Sequence, residues 1–158
     1  MMKGAYKYTH GNCSVNPFVG RENVSLKQNG NGRKVLIIGA GCAGLTAAEL
    51  LSKRGFDVTV LEKESKQGGQ LNLASKPPHK EKINWVCEDL LSNAINSGAK
   101  VLFDIKADKN IIASYSPEFV ITATGGNAIH PKSFNGDNVV TVTQVLNGSI
   151  DISNKKVA

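Results

Sequence analysis

The chain has 158 residues, of which 41% are hydrophobic and 20% charged, and its formal net charge is +6. This length and composition predict one globular domain with a buried core and exclude a fibrous or disordered chain. No apolar run is long enough to span a membrane and the N-terminus has no apolar signal segment, so we predict a cytoplasmic protein without a membrane partner. The lysines are spread without interleaved aromatic residues, which disfavours nucleic acid as a partner.

The first 32 residues are polar, rich in glycine and asparagine, and show no sustained period. We interpret residues 1–32 as an irregular connector and expect the folded domain, residues 33–150, to begin at Arg33. The three cysteines of the whole chain are odd in number and lie in unlike contexts, so no disulfide framework is predicted. The histidines His10, His79 and His130 lack ligands at metal-binding spacing and are interpreted as loop residues.

A strand, a glycine turn, a helix and a second strand follow one another from Lys34 to Glu62, over 29 residues. The apolar run 34–38 breaks into G-x-G-x-x-G, a helix is predicted over 43–54, and a second apolar run, 58–61, ends at Glu62. This βαβ length and an acidic residue at the second strand's end are typical of a dinucleotide site. In such a site the three glycines permit the tight turn, the approach of a pyrophosphate and the close packing of the helix, in that order: Gly39, Gly41 and Gly44.

The rest of the chain predicts further alternation of strands and helices. A loop over 63–78 is followed by a helix over 80–97 and by strands over 100–103 and 117–124, the last of them buried. The apolar face of the helix is predicted to hold Ile83, Val86, Leu90, Leu91 and Ile95, and Trp85 is assigned to the core. The fold class is therefore α/β, a Rossmann-like doubly wound parallel sheet. Residues 151–158 resemble the start of another buried strand, which predicts the beginning of a truncated second nucleotide-binding domain.

Two further glycine sites favour a flavin over a nicotinamide. Gly68-Gly69-Gln70 follows the acidic strand end, and Ala123-Thr124-Gly125 ends the fourth strand, at the sheet edge where open α/β folds bind ligands. A nicotinamide domain has no need of either. An NAD-binding module and a non-enzymatic association module with a degenerate nucleotide fold remain as alternatives.

These motifs together resemble a known family. The order G-A-G-x-A-G-L, V-x-V-L-E-K, G-G-Q-L-N and A-T-G, preceded by C-x-V-N-P, is similar to the FAD domain of the multidomain old-yellow-enzyme-like NADH:flavin oxidoreductases, the group of 2,4-dienoyl-CoA reductase, enoate reductase and trimethylamine dehydrogenase. The resemblance runs from Cys13 to the last residue. It implies an enzyme that takes electrons from NAD(P)H through FAD and a 4Fe-4S cluster to FMN and reduces activated C=C bonds.

The resemblance also implies residue roles. The pyrophosphate of FAD would lie against Gly39, Gly41, Cys42, Ala43 and Gly44, and its adenosine against Glu62, Lys63, Lys106 and Ala107. The flavin side would be lined by Gly69, Gln70, Leu71, Thr124 and Gly125, and Lys80 matches a family lysine. No catalytic residue is assigned. The partners implied are the barrel and NAD(P)H domains, which this chain lacks, so we expect the isolated chain to be catalytically silent.

Two cysteines have competing interpretations. Cys13 matches the last of four family ligands of the 4Fe-4S cluster, and because the other three would lie upstream, we expect no cluster on this chain alone. Cys42 stands at a helix N-terminus, where a thiol pKa can fall. The favoured interpretation is nevertheless a small residue filling the turn, because a bound pyrophosphate would oppose ionisation of the thiol.

Overall fold

The fold is taken from a computed structural model of the chain, which describes residues 13, 16, 18–20, 23–127, 129, 133 and 136–157. In chain order the elements within these residues are β1 (Lys34–Ile38), α1 (Cys42–Lys53), β2 (Asp57–Leu61), α2 (Gln70–Ala74), α3 (Ile83–Asn96), β3 (Lys100–Leu102), α4 (Lys109–Tyr115), β4 (Phe119–Thr122) and α5 (Val142–Leu146). Among the described residues, no helix has both the length and the apolar character needed to cross a membrane.

The four strands form one parallel sheet in the order β3-β2-β1-β4. In its register Ile37 of β1 lies between Val60 of β2 and Ile121 of β4. Parallel strands joined by crossing helices place all their carboxyl ends at one edge, where ligands bind in this architecture. The predicted Rossmann-like α/β fold is confirmed.

The core lies between the sheet and helices α1 and α3. Leu45 and Ala48 of α1 are buried against Leu90 and Ala94 of α3 and against β-branched residues of β1 and β2. Full burial of a leucine side chain stabilises a fold by about 2 kcal/mol. The two alanines, Ala48 and Ala94, have small side chains, which allows α1 and α3 to pack closely.

The fourth strand is less buried than its apolar sequence predicted. Phe119 and Val120 are 45% and 44% exposed. Because β4 lies at the edge of the described sheet and pairs only with β1, both its outer backbone edge and much of its side-chain surface remain uncovered. The strand predicted at 117–124 is therefore present as β4, but its predicted burial is wrong, because an apolar run indicates residue type and not the strand's place in the sheet.

The third helix also differs from its prediction. It begins at Ile83, after a turn over 77–82, and its buried residues are Cys87, Leu90 and Ala94. Trp85 and Ile95 are 61% and 51% exposed, so their assignment to the core and to the apolar face is wrong. The predicted apolar face consisted of the largest apolar residues of the helix. The buried face includes two small residues, Cys87 and Ala94.

Three short helices were not predicted. The sequence held signals for two of them: the Asp108 carboxylate accepts from the Ile111 N–H at 2.8 Å, and Thr141 forms a reciprocal capping box with Gln144. Helix α2 begins after Gly69, whose φ is +52°. Residues 155–157 belong to no strand in the structure. The second domain beginning at 151 stays a prediction.

A cation between two rings braces the amino-terminal edge of the sheet. The Arg33 guanidinium lies 5.1 Å from the Phe56 ring centroid and 5.4 Å from that of Phe119. We expect Arg33→Ala to lower the free energy of unfolding by about 1–2 kcal/mol, because both stacking contacts are lost. Urea titration followed by circular dichroism measures this, with Lys27→Ala as an exposed control. Equal midpoints for the two variants would contradict it.

Candidate functional site

Two glycines fix the approach of β1 to α1: Gly39 lies in the turn between them, and Gly44 lies in the first turn of α1. Gly39 has φ of +108°, and a Cβ there would lie 2.5 Å from the carbonyl oxygen of Ala123. A Cβ on Gly44 would lie 1.9 Å from the carbonyl oxygen of Gly39. Both positions therefore need glycine for packing within the protein itself.

Gly41 has a different environment. Its backbone is extended, with φ of −79°, and a Cβ there would meet nothing within 4 Å. Helix α1 starts directly after it, and no side chain caps the helix N-terminus and no acidic residue lies in its first turn. The turn thus presents free space beside uncapped N–H groups at the positive end of a helix dipole, which suits an anion.

Glu62 connects the end of β2 to this turn. It is only 7% exposed, and its carboxylate accepts hydrogen bonds from the N–H of Ala40 at 2.7 Å and of Glu64 at 3.0 Å. Glu62 was expected at the adenosine of the cofactor, and these hydrogen bonds to the glycine turn and to Glu64 were not predicted. Motif spacing places an acid at the strand end but cannot show which backbone N–H groups lie beside it. The contact of Glu62 with the adenosine stays a prediction.

The residues assigned to the adenosine end lie on neighbouring segments. The N–H of Ile105 donates to the Glu62 carbonyl at 2.8 Å, which sets the chain after β3 beside the end of β2. Lys106 and Ala107 follow directly and so lie at the same edge as Glu62 and Lys63. The Lys63 ammonium pairs with a neighbouring carboxylate 3.4 Å away in an exposed position. A pair of this kind is weak and leaves the lysine free to move.

The second glycine site lies against the first. The N–H of Gly68 donates to the Ala40 carbonyl at 2.9 Å, and Gly68 and Gly41 form a parallel β-bridge. A Cβ on Gly69 would lie 3.6 Å from the Cα of Gly41. Two loops that are more than twenty residues apart in the sequence therefore share one wall of the site.

The third glycine site completes the cluster. The side-chain amide of Gln70 donates to the Gly126 carbonyl at 3.0 Å, and a Cβ on Gly125 would lie 3.9 Å from the same nitrogen. Thr124 precedes Gly125 on this loop, and Leu71 follows Gln70 and packs partly buried against the core. The three glycine sites thus converge at the carboxyl edge of the sheet. The bond from Gln70 to Gly126, which joins two of the loops, was not predicted from the sequence.

Two assigned residues are not brought into this cluster. Lys80 lies exposed in the turn before α3, and its ammonium makes no ion pair with the described residues. Cys13 is exposed, and its sulfur accepts from the Asn16 N–H at 3.3 Å. In the described part of the chain, no group of three or more His, Cys, Asp or Glu side chains could hold a metal ion. Residues 14, 15 and 17 of the C-x-V-N-P motif, with His10 and His130, lie outside the described residues.

The remaining cysteines differ in environment. Cys42 is exposed in the glycine turn, whereas Cys87 is buried on α3 beside Gly68. Burial raises the pKa of the Cys87 thiol above its ordinary value, and nearby Cys42 and Glu88 add to this effect. A buried thiol with a raised pKa stays protonated and unreactive.

Cys42 and Cys87 should therefore differ in their rates of reaction with a thiol reagent. In a Cys13→Ser background, we expect one equivalent of a maleimide to react quickly with Cys42 at neutral pH, while Cys87 reacts only after denaturation. Because native Cys87 keeps its proton above the ordinary thiol pKa of about 8.5, the native state binds more protons than the unfolded chain, and stability should fall as pH rises through that value. Mass mapping and urea unfolding at two pH values measure both effects. Rapid native labelling of Cys87, or an unchanged pH slope in Cys87→Ala, would contradict this account.

The chain matches a known family of domains and parts of several longer proteins. The family of NAD(P)-binding Rossmann-like domains matches residues 37–115. An NADH oxidase of Thermoanaerobacter brockii is 41% identical over 122 residues, which cover 76% of this chain and 19% of that protein. A cinnamate reductase of Clostridium sporogenes is 32% identical over 139 residues, or 85% of this chain and 20% of that protein.

A solved structure is also similar to this chain. A 2-naphthoyl-CoA reductase in complex with 2-naphthoyl-CoA superposes with a TM-score of 0.78 at 29% identity, covering 89% of this chain and 22% of that one. The chain thus spans about a fifth of the length of the relatives it matches.

Proposed function

Because the chain belongs to the family of NAD(P)-binding Rossmann-like domains, we propose that it is the FAD-binding segment of an NAD(P)H-dependent flavin oxidoreductase. Its relatives include an NADH oxidase, a cinnamate reductase and a multifunctional alkene reductase/demethylase of Caballeronia cordobensis. They belong to the multidomain group that the sequence motifs resemble, so that prediction of family is confirmed.

The observation that carries the proposal is the convergence of three glycine loops around an open space at Gly41. A turn that served only packing would need glycine at Gly39 and Gly44, where a Cβ would clash, but not at Gly41, where it would meet nothing. The uncapped start of α1 beside this space fits a pyrophosphate. A second and a third loop at the same edge extend the site beyond what one phosphate turn requires.

The residues divide into two ends of one elongated site. The N–H groups of the α1 start, at Cys42 and Ala43, would hold the pyrophosphate, with Glu62 and the segment after β3 on the adenosine side. Gly69, Gln70 and Gly125 would face the flavin side. When bound, FAD supplies hydride and single-electron transfer, and the share of this chain is to bind it and to orient it.

We also propose that this segment is one part of a longer, multidomain enzyme. In a complete enzyme, residues 33–150 would hold FAD, residues from 151 onward would begin an NAD(P)H domain, and Cys13 would be one ligand of a 4Fe-4S cluster. A preceding barrel would carry FMN and the substrate, an activated C=C bond. The relatives' far greater length supports this arrangement.

A cofactor titration tests the proposal. We expect the isolated chain to bind FAD, measured by isothermal calorimetry and by the change in flavin fluorescence, and to bind NADH more weakly. Tighter binding of NADH would favour an NAD-binding module. No binding of either cofactor by correctly folded protein would favour a non-enzymatic association module.

A further inference from the structure

The loop that follows β4 has few bonds to the rest of the fold. The Ala123 N–H donates to the Ile38 carbonyl at 2.8 Å and so continues the pairing of β4 with β1. The next residues, 124–127, are exposed, and none of them makes a backbone hydrogen bond to another described residue. Residues 124–127 are called here the flavin-side loop. Within the described part of the chain, the position of this loop therefore depends on side-chain contacts.

Gln70 supplies such a contact. Its side-chain amide donates to the Gly126 carbonyl at 3.0 Å, and a Cβ on Gly125 would lie 3.9 Å from the amide nitrogen. Gly125 has φ of +75°, in the left-handed region that favours glycine. Among the described residues, no other side chain forms a hydrogen bond with the flavin-side loop.

The segment that carries Gln70 is held more firmly. Gln70 begins α2, and just before it the Gly68 N–H donates to the Ala40 carbonyl of the glycine turn at 2.9 Å. The side-chain amide of Asn72 donates to the Gln67 carbonyl at 2.8 Å, which closes the start of α2 onto the preceding loop. Gln70 therefore connects a loop with few bonds to a segment that is fixed against the glycine turn.

A bond of this kind acts on binding by ordering the loop beforehand. A ligand that must order a loop loses part of its affinity to the entropy cost of that ordering. One neutral hydrogen bond at an exposed position contributes modestly to the stability of a fold. Its effect on a ligand is larger where the loop that it holds has no other described hydrogen bond.

We propose that Gln70 is a positioning residue for the flavin end of the site, where its amide holds the flavin-side loop in the conformation that receives the isoalloxazine ring of FAD. This inference rests on the proposed function. The residues proposed for the pyrophosphate and the adenosine lie on other segments, at the start of α1 and at Glu62. Loss of the Gln70 bond should therefore weaken the binding of FAD and not that of ADP, which carries the same adenosine and two phosphates without the flavin.

Calorimetric titration of the full chain with FAD and with ADP tests this difference. Gln70→Met keeps the length of the side chain and removes the donor, so it should weaken FAD binding about threefold to tenfold and leave ADP binding within about twofold. The visible circular dichroism of bound FAD should also change, because the ring would lie in a less ordered site. Gln70→Asn, whose amide is one methylene too short to reach Gly126, should behave like Gln70→Met.

Gln28→Met is the matched control. The Gln28 amide also donates from an exposed side chain to a backbone carbonyl, that of Lys53 at 2.6 Å, but at the opposite end of α1 from the site. Its loss should leave the affinities for FAD and for ADP and the visible circular dichroism unchanged. Far-ultraviolet circular dichroism establishes that each variant is folded.

Backbone amide relaxation, measured by nuclear magnetic resonance on the ligand-free chain, separates positioning from direct contact. We expect lower order parameters at Gly125 and Gly126 in Gln70→Met than in the wild type. Weaker FAD binding with unchanged order parameters would show that Gln70 touches the cofactor itself and would overturn the proposal. Equal losses for FAD and ADP, or full FAD affinity in both Gln70 variants, would also overturn it. If wild-type protein binds neither FAD nor ADP, the proposed function itself fails, and this inference with it.

Discussion

Replacing Gly44 with alanine is expected to destabilise the fold by about 3 kcal/mol or more, as overpacking of a rigid contact does. The new Cβ would lie 1.9 Å from the carbonyl oxygen of Gly39, which belongs to backbone and cannot rotate away. Helix α1 would have to move away from β1. That movement would open the packing of Leu45 and Ala48, which are completely buried.

Urea unfolding followed by far-ultraviolet circular dichroism measures this loss. Gly126→Ala is the matched control, because a Cβ there meets nothing within 4 Å and its φ is not in the left-handed region. The control should change the free energy of unfolding by less than about 0.5 kcal/mol. Similar unfolding midpoints for the two variants would show that α1 does not depend on the contact between Gly44 and Gly39.

The opposite result is expected at Gly41, three residues earlier. Gly41→Ala should leave the free energy of unfolding within about 1 kcal/mol of the wild type, the usual range for a change at a helix N-cap. It should nevertheless weaken FAD binding about tenfold or more, because the methyl group fills the space proposed for the pyrophosphate. Calorimetric titration of folded protein with FAD measures the affinity.

Gly41→Ser separates the two effects further. Serine is a favourable N-cap, so this variant should be as stable as the wild type while its side chain enters the same space. Full FAD affinity in both the alanine and the serine variants would show that the open space at Gly41 does not receive the cofactor. Loss of affinity with unchanged stability in both is the expected pattern.

The features that the sequence predicted well are local. The βαβ unit from β1 to β2 follows from apolar runs, three glycines and an acid within 29 residues, all of which act through neighbouring backbone. The convergence of the three glycine loops was also expected, because carboxyl ends of parallel strands meet at one edge.

The features that the sequence missed depend on distant partners. Trp85 is apolar in character but lies on the exposed side of α3, and the small residues Cys87 and Ala94 take buried positions. The exposure of β4 depends on what lies beyond the sheet edge. The bond from Gln70 to Gly126 joins residues 56 positions apart, and no periodicity indicates such a pair.

The two backbone hydrogen bonds to Glu62 would lower the cost of binding a ligand at the proposed adenosine end of the site. A glutamate loses about 1.5–2 kcal/mol of side-chain entropy when it is fixed in one rotamer. Here Ala40 and Glu64 fix it while the domain folds, before any ligand arrives. A ligand that reaches this carboxylate would therefore meet a side chain already held in one rotamer, and its affinity would not be reduced by the cost of ordering that side chain.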